Sequence, residues 1–172
     1  MDNQTALLVI DVQMFGFDET NPVYESDQLI SKIGTLIMQA REAGVPVVYV
    51  QHSEPEEIVG TPTWEIHPAI APGADEVIIQ KQHPDSFQDT NLQSGMESMG
   101  IKKLIIAGMQ TEYCIDTTCR RAYSLGYNVT LIKDAHSTWN TDSLTAVQII
   151  AHHNEVLGGW FAELKQADEI KF

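Results

Sequence analysis

The chain has 172 residues, 43% of them hydrophobic, enough for one sizeable core and too few for two, so residues 1–172 are read as a single domain. Twenty-four acidic residues against ten basic ones give a formal net charge of −14, a field that repels phosphate backbones and anionic lipid and argues against a nucleic-acid or membrane partner. Apolar runs such as ALLVI and LIIAGM fall far short of the roughly 20 residues of a membrane helix, and MDNQT lacks a basic leader, so a soluble, cytoplasmic protein is expected.

In chain order, ALLVI (6–10) is a short apolar run of the kind that forms a buried parallel strand, and Asp11 closes it. From Ser26 to Ala43, the residues Leu29, Ile33, Leu36, Ile37 and Ala40 recur at helical spacing, and Gly44 ends the helix. PVVYV (46–50) predicts a second strand, followed by Gln51 and His52. The next stretch, 51–75, carries four prolines and little periodicity where a crossover helix is expected. Irregular loops of that length are functional or disordered, and Trp64 and His67 point to an ordered one that covers something. EVIIQ (76–80) predicts a third strand ending at Lys81. LIIAG (104–108) predicts a fourth, leading through Met109, Gln110 and Thr111 to Cys114. Tyr113 to Leu125 reads as a helix stopped by Gly126, YNVTLI (127–132) as a fifth strand, and Ser143 to Leu157 as a further helix. The alternation predicts an open α/β fold with a mostly parallel sheet.

The two cysteines, Cys114 and Cys119, lie five residues apart. On one helix that places them roughly 140° apart around the axis, which excludes an intrahelical disulfide. A zinc site needs about four ligands, and no histidine sits close to CIDTTC to complete one. Thiols are expected of both.

In open parallel sheets ligands bind beyond the carboxyl ends of the strands, so the residues just after each strand are the first candidates. Asp11, Lys81 and Cys114 all stand there. A free thiol needs a base or a positive field to act as a nucleophile. A helix N-terminus and Lys81 would supply the field and Asp11 the base, so thiolate character and alkylation well below pH 7 are expected of Cys114. Backbone N–H groups at the helix start can serve as an oxyanion hole. Plainer readings stand beside these: a carboxylate that caps a helix or binds metal, a solvated lysine, a cysteine that packs. Cys119, deeper in the helix, reads as a core or interface residue. His83 and His136 read as loop residues, the adjacent His152 and His153 face different ways on a helix, and Trp139 and Trp160 read as hydrophobic anchors.

The motifs LLVIDVQ, GTPTWEIHPAI, VIIQKQHPDSFQDTNL, LIIAGMQTEYCIDTTCRRAYSLGYNVTLIKDA and IIAHHNEVL, in this order from about residue 5 to 164, resemble the isochorismatase-like cysteine hydrolase superfamily. The resemblance implies a three-layer α/β/α Rossmann-like sandwich around a six-stranded mostly parallel sheet, in a homodimer or homotetramer. It implies that Asp11 is a general base, Lys81 its partner cation and Cys114 the nucleophile. It also implies a cis peptide between Met109 and Gln110, with the Gln110 and Cys114 amides as the oxyanion hole. Gln13, Trp64 and Phe87 match positions that line the substrate pocket. The nicotinamidase branch holds a metal through an Asp-x-His pair after the second strand and a later histidine. Here His67 fills the later position, but the pair reads Gln51 and Ser53 with His52 out of phase, so no catalytic metal and no cofactor are expected. True isochorismatases lack the nucleophilic cysteine, so Cys114 points to a covalent acyl-enzyme acting on a small amide, imide, carbamoyl or ureido compound. The rivals are a non-catalytic oligomeric scaffold on the same fold, a thiol redox sensor, and a nicotinamidase- or isochorismatase-type activity.

Overall fold

The computed structural model describes residues 4–53 and 59–172. Six strands form one sheet: β1 (Thr5–Ile10), β2 (Val47–His52), β3 (Val77–Lys81), β4 (Lys103–Met109), β5 (Asn128–Ser137) and β6 (Glu163–Lys165). Their order is β3-β2-β1-β4-β5-β6, and every pairing is parallel. Among the described residues four α-helices connect them: α1 (Ser26–Ala43), α2 (Leu92–Ser98), α3 (Asp116–Ser124) and α4 (Ala146–Trp160). No helix among the described residues is long and apolar enough to cross a membrane.

The three layers follow from the period-2 alternation of side chains along the strands. Ala6, Leu8 and Ile10 of β1, with Leu104 and Ile106 of β4, face one side and pack with Met96 of α2, Cys119 and Ala122 of α3 and Leu157 of α4. Leu7, Val9 and Ile105 face the other side, against Leu29, Ile33, Leu36 and Ile37 of α1. Both faces are covered, which is why these strands read as continuous apolar runs. The predicted apolar stripe of α1 is its buried stripe, and Gly44 ends it at φ 69°, donating to the carbonyls of Ala40 and Arg41 as a left-handed cap.

Three boundaries move. The last helix begins at Ala146 because Thr145 and Gln148 form a capping box there, and it runs to Trp160. The fifth strand extends to Ser137, so His136 is a buried strand residue and not a loop one. β6 is three residues long, and its sequence ELK offers no apolar run to detect. Of the irregular stretch, residues 54–58 lie outside the described residues; its remainder contains the end of β2, which reaches His52, and a short 3₁₀ turn at Pro68–Ile70.

The strand order reverses between β1 and β4, and parallel sheets of this order leave a crevice beyond the strand ends at that point. Close approach of the two strands there depends on one residue. Gly108 sits at φ +131°, and a Cβ on it would lie 2.0 Å from the Ile10 carbonyl oxygen, so only glycine fits.

Candidate active site

The crevice collects residues from four strand ends. Asp11 follows β1 with φ 53°, a left-handed conformation uncommon outside glycine and found preferentially at sites held in place by their surroundings. Lys81 ends β3, His52 ends β2 opposite Lys81 in the ladder, and Cys114 follows β4. The helix expected from Tyr113 starts earlier, with a π-helical turn at Thr111–Ile115 capped by Gln110 and continuing into α3. Cys114 therefore lies in a widened turn at the head of the helix. The Met109–Gln110 peptide is cis, and the Gln110 carbonyl accepts from the amides of Tyr113 and Ile115.

The Lys81 ammonium is the hub. It donates to Asp11 Oδ2 at 2.6 Å, to Cys114 Sγ at 3.1 Å and to His52 Nδ1 at 3.0 Å. Both members of the Lys81–Asp11 pair are almost wholly buried, with side-chain exposures of 0% and 3%. Burial works against the charged ammonium, but Asp11 and then Cys114 outweigh it and hold the Lys81 pKa above its ordinary value. The second oxygen of Asp11, Oδ1, is buried and has no hydrogen-bond partner among the described residues. A carboxylate oxygen of Asp11, a ring nitrogen of His52 and Cys114 Sγ lie within 4.8 Å of one another.

Desolvation works against the thiolate expected of Cys114. Burial of Cys114 and the neighbouring Asp11 charge push its thiol pKa up to about 12, and the opposing pull of Lys81 is weaker. A helix start and a cation are visible in sequence; the desolvation that overrides them is not. The site thus favours the proton on both the Lys81 ammonium and the Cys114 thiol. Cys119 is fully buried among core residues, and its thiol is also driven up, first by burial and then by Asp116.

The residues matched to the substrate pocket separate. Gln13 is wholly buried with both ends of its amide engaged: Nε2 donates to the carbonyls of His52 and Trp64, and Oε1 accepts from the His52 amide. It clamps β2 to the Trp64 segment. Trp64 is buried against the same crevice, its indole N–H donating to Ser53 Oγ at 3.0 Å. Phe87 stacks on Tyr127 with ring centroids 5.8 Å apart, within the cluster that also holds Cys114.

The residues standing where the nicotinamidase branch binds its ion do not fit one. Gln51 Nε2 donates to the Trp64 carbonyl, Ser53 Oγ accepts from the Trp64 indole, and His67 Nδ1 accepts from the Ala69 amide. All three hold the Trp64 to Ile70 segment in place. His52 is what the sequence reading missed: taken as out of phase with a metal pair, it is in phase with Lys81.

With this geometry in place, comparison with known proteins is specific. Residues 5–154 match the family model described as the isochorismatase domain. A streptothricin hydrolase of Streptomyces noursei is 35% identical over 138 residues, covering 78% of this chain and 50% of that protein, so the chain spans about half the length of that relative. Nicotinamidase 3 of Arabidopsis thaliana is 30% identical over 155 residues, covering 80% and 75%. A solved isochorismatase family protein superposes with a TM-score of 0.92 at 34% identity, covering 96% of this chain and 99% of that one.

Proposed function

The chain belongs to the isochorismatase family of hydrolases, and from that premise we propose that it hydrolyses a C–N bond in a small amide, imide, carbamoyl or ureido compound through a thioester on Cys114. The observation that carries the reading is the buried Asp11–Lys81–Cys114 cluster, in which the ammonium donates to Asp11 Oδ2 and to Cys114 Sγ while Asp11 Oδ1 is left without a partner among the described residues. Relatives whose names denote hydrolysis of streptothricin and of nicotinamide agree with it.

The raised thiol pKa sets the order of events. With burial and Asp11 pushing the Cys114 pKa up, its proton passes to Asp11 Oδ1 as Sγ attacks the carbonyl, and the Lys81 ammonium stabilises the sulfur as charge develops on it. The Gln110 and Cys114 backbone N–H groups receive the oxyanion. Collapse of the tetrahedral intermediate breaks the C–N bond, and Asp11 returns the proton to the departing nitrogen. Water, deprotonated by Asp11, then attacks the thioester, releasing the acid and restoring the thiol. No step passes through a metal.

A concavity of about 290 Å³ lies beside the site, lined by Ser53, Gln80, Lys81, Gln82, His83 and Gln88, with neither Asp11 nor Cys114 among its walls. Trp64 and Phe87 complete the proposal as pocket walls. Exposed Leu144, Val147 and Trp160, on and beside α4, suit assembly into a homodimer or homotetramer, and a free-thiol nucleophile suits the reducing cytosol. An ammonia-release screen over small amides, ureas and carbamoyl compounds tests the reading, with Cys114→Ala as comparator. Turnover that disappears in the variant is expected; undiminished turnover overturns it.

A further inference from the structure

The mechanism gives roles to two of the three partners of Lys81 and none to His52. A lysine ammonium has three protons and no lone pair. Here three acceptors surround it at hydrogen-bond distance: Asp11 Oδ2, Cys114 Sγ and His52 Nδ1. Since the ammonium can only donate, His52 Nδ1 must present a lone pair, which fixes the neutral ring as the Nε2–H tautomer.

His52 is not in this position by chance of a mobile side chain. Its backbone pairs with Lys81 in the β2–β3 ladder. Its amide N–H and its carbonyl are both gripped by the buried Gln13 amide, at 2.8 and 3.0 Å. Gln13 thus holds His52, and His52 faces the ammonium.

We propose that His52 is a positioning residue that accepts the third proton of the Lys81 ammonium and so holds that cation between the base Asp11 and the nucleophile Cys114. Its importance for turnover rests on the hydrolase reading above; its placement does not. Without it, one N–H of a buried ammonium has no acceptor, and the cation is free to turn away from the sulfur.

The test uses the full chain labelled with ¹⁵N at histidine. Ring-nitrogen correlations at neutral pH should show His52 with Nδ1 unprotonated and Nε2 protonated, and Lys81→Met should move those signals. Acylation by p-nitrophenyl acetate, followed by the nitrophenolate burst across pH, supplies the second arm. His52→Leu should slow it about tenfold or more, the effect expected for losing a hydrogen bond to a charged group. His52→Gln, whose amide oxygen can accept, should recover part of the rate. An Nδ1–H tautomer, ring signals indifferent to Lys81→Met, or a His52→Leu variant with wild-type rate and pH profile would overturn the proposal. Acylation persisting in Cys114→Ala would instead overturn the hydrolase reading and leave the tautomer result standing.

Discussion

His136 offers a prediction whose size can be worked from the structure. It is buried at the end of β5 and links three elements. Thr111 Oγ1, in the turn that carries Cys114, is 2.8 Å from its Nδ1, and Asn154 Oδ1 of α4 is 3.0 Å from its Nε2. Asn154 Nδ2 donates to the Lys133 carbonyl, so its Oδ1 must accept from the ring; Nε2 carries the proton and Nδ1 accepts from Thr111. Burial, only partly offset by the bond to Asn154, lowers the His136 pKa from 6.5 to about 4. The unfolded chain therefore binds a proton at higher pH than the folded one, so this contribution to stability is intact above pH 6.5 and is lost as pH falls towards 4. The full effect is about 3 kcal/mol, of which about 2 kcal/mol is lost between pH 7 and pH 5. Urea unfolding of wild type and His136→Gln at the two pH values reads this directly, because the other titrating groups are common to both. The variant should be the less stable at pH 7, and the gap should narrow by about 2 kcal/mol at pH 5. Parallel loss of stability in the two proteins would refute the reasoning.

The remaining predictions concern the crevice. Because the Cys114 pKa is pushed up to about 12, its alkylation by iodoacetamide should keep rising through neutral pH and beyond pH 9, by about tenfold per unit; a plateau below pH 7 would restore the resting thiolate. Lys81→Met leaves the Asp11 carboxylate buried without its cation and should cost roughly 3–5 kcal/mol in denaturant unfolding, an amount that an unchanged midpoint would contradict. Gly108→Ala places a methyl group on the Ile10 backbone, which no side-chain motion relieves. It should cost about 4 kcal/mol or more or prevent folding, and a soluble variant of wild-type stability would show that the strands can separate there.

Asp11, Lys81 and Cys114 were legible in the sequence because each stands at or shortly after the carboxyl end of a parallel strand, and apolar strand runs announce themselves. The sheet order placed Asp11 and Cys114 on either side of the reversal, which turned three separate strand ends into one cluster. What sequence missed depended on side-chain detail. Gln13, matched to a substrate wall, is a clamp because its amide meets two backbone segments at once, a property of tertiary packing. His52 escaped notice because a metal pair would occupy the alternate residues 51 and 53; only the ladder register shows that the intervening residue faces Lys81. The raised Cys114 pKa escaped for a related reason, since spacing reports neighbours and not burial.

The central claim is that Cys114 forms a covalent acyl-enzyme, and the intact mass of the protein tests it most directly. A turnover amide identified by the ammonia screen is mixed with the enzyme, quenched in acid within the first turnover, and the protein weighed and mapped. The account predicts an added acyl mass confined to the peptide bearing Cys114 and absent from Cys114→Ala. Undiminished turnover in that variant, or an acyl group mapped to another residue, would contradict it.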